Sequence, residues 1–225
     1  MKSVKLFLCV AILCTSCSTS KILTSDVKSV EITEMLKIEP FSYISLIESG
    51  NRGAYNDSIS RSTQTVLNES LETFRGKLRL SSEEIKLTDS VAIKRLEQEF
   101  NFLIMSAERN RSIKGIPITP LVDSLLNAND KRFGLIIVQS GFTRAKGNYG
   151  GQIAKGIGMG ILTMGMYYQT PIKSNSTLYA IIVDNKNRNV AFYNKSILQD
   201  KEPTEKENII KQLNLIFEKY FWEKK

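Results

Sequence analysis

Two short apolar runs stand near the middle of the chain, at residues 135–138 and 180–183. Both are rich in isoleucine and valine, and both are bounded by residues that favour turns. Runs of this kind are typical of strands that are buried on both faces of a sheet. They predict that four residues lie in the core: Leu135, Ile137, Ile181 and Val183.

The second run opens a predicted β-hairpin. Its strands are residues 177–184 and 190–196, and its turn is residues 185–189, because the sequence NKNRN is rich in turn formers. Residues 133–143 form the strand that precedes it. A long glycine-rich segment separates that strand from the hairpin.

Apolar and polar positions nearer the N-terminus predict further strands. Residues 30–36 and Phe41–Ile47 are strand-like, and the second of these has apolar side chains on both faces. A short strand is predicted at 78–80. The polar residues 81–86 follow it.

Apolar residues recur at helical spacing in four segments. They predict helices at 57–77, at 89–109, from Pro120 to about residue 126, and at 204–222. For the second helix the inward residues are predicted to be Val91, Leu96, Phe100, Leu103 and Ile104.

Helix starts are predicted from capping residues. Asp57 or Ser58 is the candidate N-cap of the first helix, and Thr119, which precedes a proline, is that of the third. Thr204 and Glu207 have the spacing of a capping box at the start of the last helix.

The element order is β-α-β-α-α-β-loop-β-β-α, without internal repeats or a second domain boundary. It predicts an α/β fold: a single sandwich of a mixed β-sheet with amphipathic helices packed on it, and a glycine-rich insert between core strands.

The N-terminus resembles a bacterial lipoprotein signal. Lys2 and Lys5 precede an apolar run at residues 6–13, which is too short to span a bilayer, and small residues then lead to Cys17. We predict a signal peptide at 1–16 and acylation of Cys17. An ordinary secretory signal, or a cytoplasmic protein with an apolar N-terminus, is the alternative.

This assignment predicts a flexible tether at 17–28, an α/β domain at 29–225, and a lipid anchor in the bacterial cell envelope, most simply facing the periplasm. Cleavage would remove Cys9 and Cys14, so the mature protein would have no free thiol. It would also lower the formal charge from +8 to +6, because Lys2 and Lys5 are lost. A net positive charge of this size suits a surface of anionic lipid. Nucleic acid is not a predicted partner, because the chain has no stripe of basic residues interleaved with aromatic residues.

The residues offer little catalytic chemistry. The chain contains no histidine, which excludes Ser-His-Asp triads, Cys-His dyads and histidine zinc sites. The neighbouring acids are Glu83 with Glu84, Glu97 with Glu99, and Glu202 with Glu205, all in polar or helix-surface contexts. We predict no catalytic residues, no cofactor and no metal, and a protein that is not an enzyme.

Residues 147–168 are the candidate site, either for close packing or for membrane contact. Gly147 with Gly151, and Gly156 with Gly160, are pairs of small residues four apart, which let backbones approach closely. A nucleotide loop is disfavoured, because no Gly-Lys-Ser/Thr ending follows. The segment is predicted to be a buried packing element, with a solvent loop, a helix on a membrane surface or an inserted hairpin as alternatives. Its other glycines are Gly158 and Gly165.

The strand FGLIIVQSGFTR, the glycine-rich insert, the hairpin LYAIIVDNKNRNVAFYNKS and the closing helix together resemble a group of envelope lipoproteins. This group includes the curli-secretion channel lipoprotein, the lipoprotein activators of penicillin-binding proteins and the N-terminal domain of the Tol translocation protein. The resemblance covers residues 116–221, and GFTRAKGNYG is the kind of motif that uncharacterised lipoproteins share. It implies an α/β sandwich, and in the curli channel the insert corresponds to a membrane-spanning hairpin. Here the insert is richer in methionine and glycine and lacks the alternation of a membrane strand.

Three functions remain open at this point. The first is a membrane-anchored, non-enzymatic factor that binds or assembles with envelope components. The second is a subunit of an oligomeric secretion or pore assembly that inserts residues 147–168 into a membrane. The third is an envelope hydrolase that uses carboxylates alone. The predicted partners are lipid, through Cys17, and an envelope protein or a second copy of the chain.

Overall fold

A computed structural model describes residues 22–164, 166 and 171–222 of the chain. The described part forms one mixed sheet with helices on both faces, as predicted. The strands are β1 Leu23–Thr24, β2 Met35–Ile38, β3 Phe41–Ile47, β4 Ala54–Tyr55, β5 Leu80–Ile85, β6 Phe133–Arg144, β7 Asn175–Asp184 and β8 Asn189–Gln199. The α-helices are α1 Asp57–Thr73, α2 Arg75–Leu78, α3 Ser90–Asn110, α4 Pro120–Ala128, α5 Asn148–Leu162 and α6 Lys206–Phe217.

The sheet is open, and its central path runs in the order β1-β8-β7-β6-β2-β5. Strands β6, β7 and β8 are antiparallel neighbours, whereas β2 and β3 both pair with β6 in parallel. Strands β2 and β3 therefore follow one another along the same edge of β6, separated by Glu39 and Pro40. Strand β5 extends the sheet beside β2, and β4 extends it beside β3.

Each face of the sheet has its own core. Leu135 and Ile137 of β6 pack on the face covered by α1 and α6, and Ile136 and Val138 on the face covered by α3 and α4. This alternation follows from the two-residue period of a strand. Because both faces are covered, the strand reads as one continuous apolar run.

The core predictions are confirmed. Leu135, Ile137, Ile181 and Val183 are all buried. The hairpin of β7 and β8 is also confirmed, with residue Asp184 opposite Asn189 across the turn, although both strands are longer than predicted. Strand β3 has the predicted bounds.

The short strand predicted at 78–80 is instead strand β5 at Leu80–Ile85, which includes most of the polar residues 81–86. Strand β5 is an edge strand whose pairing is with β2, and its outer residues Ser82 and Glu83 are exposed. Edge strands tolerate polar residues because one side faces water. Their polar sequence does not match the apolar pattern from which buried strands are predicted.

The helix bounds and caps also needed correction. Helix α1 ends at Thr73 rather than at residue 77, and its N-cap is Asn56, whose side chain accepts the backbone N–H of Ile59. Helix α6 begins after Glu205 without a side-chain cap, so the predicted capping box is absent. It ends at Phe217, because the backbone of the C-cap residue Glu218 is extended at ψ 151°.

Two more predictions on helices differ in detail. Val91 is 73% exposed, while the other four predicted inward residues of α3 are buried. Thr119 is the N-cap of α4, but its side chain makes no capping bond. Instead, the Glu99 carboxylate of α3 accepts the backbone N–H groups of Leu121 and Val122 at 3.0–3.2 Å.

Residues of the predicted tether that precede residue 28 contact the sheet. Leu23 and Thr24 pair with β8, and Val27 is buried. The hydroxyl of Tyr220 donates to the backbone oxygen of Val27 at 2.9 Å. The fold therefore includes the chain from about Ile22 onward. The predicted signal peptide and Cys17 lie outside the described residues.

Candidate functional site

The glycine-rich segment forms helix α5, which starts after Gly147 at φ 86°. None of its residues is buried, and it makes little contact with the other helices and strands of the described chain. The predicted buried packing element is therefore wrong. The segment instead projects from the domain as an exposed helix.

The glycines do not mark a close approach where their surroundings are described. A Cβ atom added at Gly147, Gly151 or Gly158 would meet nothing within 4 Å. Gly156 and Gly160 are partly exposed, and Gly165 lies outside the described residues. The expected close packing of Gly147 with Gly151 is absent from this structure.

Exposed apolar side chains cluster at the C-terminal end of α5. Ile161 and Leu162 are 75% and 79% exposed, and Met164 and Met166 are 94% and 88% exposed. We call helix α5 together with Met164 and Met166 the arm. Clusters of exposed apolar residues in soluble domains mark contact sites for proteins or membranes.

Arg144 holds the base of the arm. Its guanidinium donates to the backbone oxygens of Ile172 at 2.9 Å and Gly50 at 3.1 Å. It also donates to the side-chain oxygens of Asn148 at 2.7 Å and Asn51 at 2.9 Å. One planar group thus ties the chain entering the arm to the chain that returns from it.

The arm lies in a stretch without acidic residues. No Asp or Glu occurs between Asp130 and Asp184, whereas the same stretch carries six basic residues. They are Lys131, Arg132, Arg144, Lys146, Lys155 and Lys173. Of these six, Lys131 and Arg132 form ion pairs with acids of other segments, whereas Lys146 and Lys155 are exposed.

The arm is short compared with a bilayer. Fifteen residues of helix extend about 22 Å at 1.5 Å per residue, and a hydrocarbon core is about 30 Å thick. In the described residues no helix is both long and apolar enough to cross a membrane.

The acids considered for catalysis have structural partners. Glu84 pairs with Lys37 at 3.0 Å, and Glu99 caps α4. Glu202 accepts a hydrogen bond from Thr143, and Glu205 accepts one from Asn208. In the described chain no group of three acids or cysteines is arranged to hold a metal ion.

Lys37 is a buried charge that sequence reasoning missed. It lies on β2 and is 1% exposed, with Glu72 and Glu84 as ion-pair partners and Asn68 as a hydrogen-bond acceptor at 2.8 Å. Hydrogen bonds from Arg75 and Lys37 outweigh burial and lower the pKa of Glu72. A lysine with these partners is a structural charge joining α1 to the sheet.

The sequence located the arm but missed its exposure. The signal that could have found it is the run of 53 residues without an acid, which surrounds the glycine segment. Arg144 was also missed, because its four acceptors come from three separate parts of the chain.

Comparison with known proteins gives few matches. No family model matches the chain, and no curated protein matches it. Among solved structures, a PelC dodecamer from Paraburkholderia phytofirmans is similar at 7% identity and a TM-score of 0.39, covering 92% of this chain and 99% of that one. A DUF4136 family protein from Bacteroides thetaiotaomicron is similar at 10% identity and a TM-score of 0.26, covering 88% and 91%. At these TM-scores the likeness carries no argument about function or assembly.

Proposed function

We propose that this chain is a lipid-anchored protein of the bacterial envelope that acts without catalysis, as a binding or assembly factor. In this proposal Cys17 carries the lipid and the arm is a second contact with the same membrane. The observation that carries it is the exposed apolar end of the arm in a stretch that has no acidic residue.

The physical argument for a membrane contact starts from the helix itself. It contains five glycines, each of which costs about 1 kcal/mol relative to alanine in a helix interior. A short helix of this composition is marginal in water without packing partners. A lipid surface would supply the missing partner by burying Ile161, Leu162 and the two methionines.

Charge adds to this attraction. Each basic residue near an anionic membrane contributes about 1 kcal/mol. Lys155 is exposed on the arm, and Lys146 is exposed at its base. A second contact of this kind would add to the anchoring that the lipid on Cys17 provides.

Vesicle flotation tests the contact separately from the lipid anchor. We would use residues 18–225, which lack Cys17, and vesicles of phosphatidylcholine with or without phosphatidylglycerol. The protein should float with the anionic vesicles, and Ile161→Asp with Leu162→Asp should abolish this. The matched control is Phe102→Asp with Met105→Asp, two apolar residues of α3 that are 51% and 69% exposed. Equal flotation of both double variants would contradict the arm as the membrane contact.

Acylation has its own test. A fatty-acid probe should label the full chain and should fail to label Cys17→Ser. Label that persists on the serine variant would show that Cys17 is not the lipid site.

The oligomeric pore subunit is the second candidate, and one observation favours it. Gly151 and Gly158 leave open space beside the arm, which a helix from another copy could approach closely. The native mass of the delipidated protein in detergent separates the two: a monomer supports the surface contact, and a defined ring-sized oligomer supports the pore subunit.

A further inference from the structure

A cavity of about 600 Å³ lies far from the arm, at the carboxyl ends of the parallel strands β2 and β5. Ligands in open α/β sheets commonly bind outside the carboxyl ends of parallel strands. Here the cavity opens because β5 ends at Ile85 while the neighbouring edge continues through Glu39 and Pro40 into β3. Helix α1 forms one wall and helix α3 the other.

One buried polar group in this cavity has no partner. Ser42 is 6% exposed, and its Oγ makes no hydrogen bond within the described chain. Its neighbour in the same strand, Ile44, has its backbone N–H bonded to Ser60 Oγ at 2.9 Å. A buried hydroxyl without a partner is costly, and a bound donor would remove that cost.

Acidic and basic side chains both line the cavity, and acids are in excess once the side chains that form ion pairs are set aside. Asp57 pairs with Arg61 at 2.8 Å, and Lys86 pairs with Glu84 at 3.5 Å. Glu39 and Glu97 line the same cavity and take part in no ion pair of the described chain. Two carboxylates therefore remain outside the ion pairs.

The surroundings of these carboxylates are partly dry. Burial raises the pKa of Glu39, although Lys86 and Lys37 act against this. Burial and the nearby negative charge of Glu97 raise the pKa of Tyr43. A positive charge bound between Glu39 and Glu97 would relieve both effects.

We propose that this cavity binds a primary alkylammonium group. An ammonium has three N–H donors, and the cavity offers three acceptors: the carboxylates of Glu39 and Glu97 and the free Oγ of Ser42. The aromatic rings of Phe41, Tyr43 and Tyr55 line the same space and favour a cation over a neutral group.

The remaining lining explains why the cation should carry an aliphatic chain. Ile38, Ile85, Leu87, Ile93 and Leu96 provide apolar surface beside the acidic groups. A hydrated metal ion would gain nothing from these side chains, whereas an alkyl chain would bury against them.

Isothermal titration calorimetry on the full chain in detergent tests the proposal with n-butylammonium. Binding should be measurable, and 1-butanol and butyrate, which share the alkyl chain, should bind at least about tenfold more weakly. Glu39→Gln and Glu97→Gln should each weaken butylammonium binding about tenfold or more. Glu207→Gln removes an exposed carboxylate of α6 and should leave the affinity unchanged.

Circular dichroism melting confirms that each variant is folded, and Ser42→Ala serves as a further variant that keeps every charge. It should weaken binding severalfold, because one acceptor is lost. Equal binding of butanol and butylammonium, an unchanged affinity in both glutamine variants, or no heat from the wild-type protein would overturn the proposal.

Discussion

The sheet centre and the arm are both apolar in sequence, yet the sheet centre is buried and no residue of helix α5 is. Strands β6, β7 and β8 use isoleucine, valine and leucine, whose side chains interlock on both faces of a pleated sheet. The arm intersperses its isoleucines and methionines with glycines, which provide no side chain to pack. The difference shows that apolar content alone does not decide burial; continuous packing surface does.

The largest expected effect is a difference in the free energy of unfolding between two variants, one in each region. Ile181→Asp places an unpaired charge in a site that is 1% exposed and should cost several kcal/mol, about the stability of a marginal domain. Ile161→Asp makes the same change at a position that is 75% exposed and should leave the melting temperature nearly unchanged. Urea unfolding measures both. A similar loss in the two variants would show that the arm is packed on the domain.

Arg144 joins the two regions, since it ends strand β6 and holds the base of the arm. Arg144→Ala removes hydrogen bonds to four acceptors and should lower the free energy of unfolding by about 1–2 kcal/mol. Lys146→Ala, at the exposed neighbouring position, is the control and should change little. If the two variants unfold alike in urea, Arg144 does not act as a clamp.

Low pH should reduce the stability of the domain through carboxyl groups such as that of Glu108. It should not act on the arm in this way, because the arm has no acidic residue. Burial acts to raise the pKa of Glu108, but hydrogen bonds from Lys195 and Tyr193 of β8 outweigh it and lower the pKa. A depressed pKa stabilises the fold above the carboxyl's unfolded pKa, and this contribution is lost as the pH falls through the folded pKa. The melting temperature of Glu108→Gln should therefore lie below that of wild type at pH 7, and the gap should narrow toward pH 3. A gap that is constant with pH would contradict this role.

The smallest effect concerns the glycines of the arm. Gly156→Leu with Gly160→Leu should not lower the free energy of unfolding, because neither position is buried and leucine has the higher helix propensity. This reverses the expectation that a buried packing element would give. Gly134→Leu in β6 is the contrasting change, since a Cβ there already meets Leu126 at 3.0 Å. Comparable melting of both would remove the distinction between the regions.

Much of the fold could be predicted because its signals are local. The runs around Leu135 and Ile181 and the turn at Asn185 each read correctly without knowledge of the rest of the chain. The first helix was also placed, although its N-cap is Asn56 rather than the next residues.

The missed features depend on contacts between distant residues. Strand β5 is stabilised by pairing with β2, which its polar sequence does not reveal. Glu99 caps a helix that begins more than 20 residues later, so no local capping pattern could indicate it. The arm is exposed because no other element of the described chain packs over it. A prediction of burial from apolar residues assumes that such an element exists.

The most direct test of the central claim is the depth of the arm in a membrane. Residues 18–225 contain no cysteine, so Ile161→Cys provides one thiol for a polarity-sensitive fluorophore. With anionic vesicles that contain brominated lipid, we predict a blue shift and strong quenching at position 161, and neither at the control Phe102→Cys on α3. A fluorophore at position 161 that stays in water, or one that is quenched no more than the fluorophore at 102, would contradict the arm as the membrane contact.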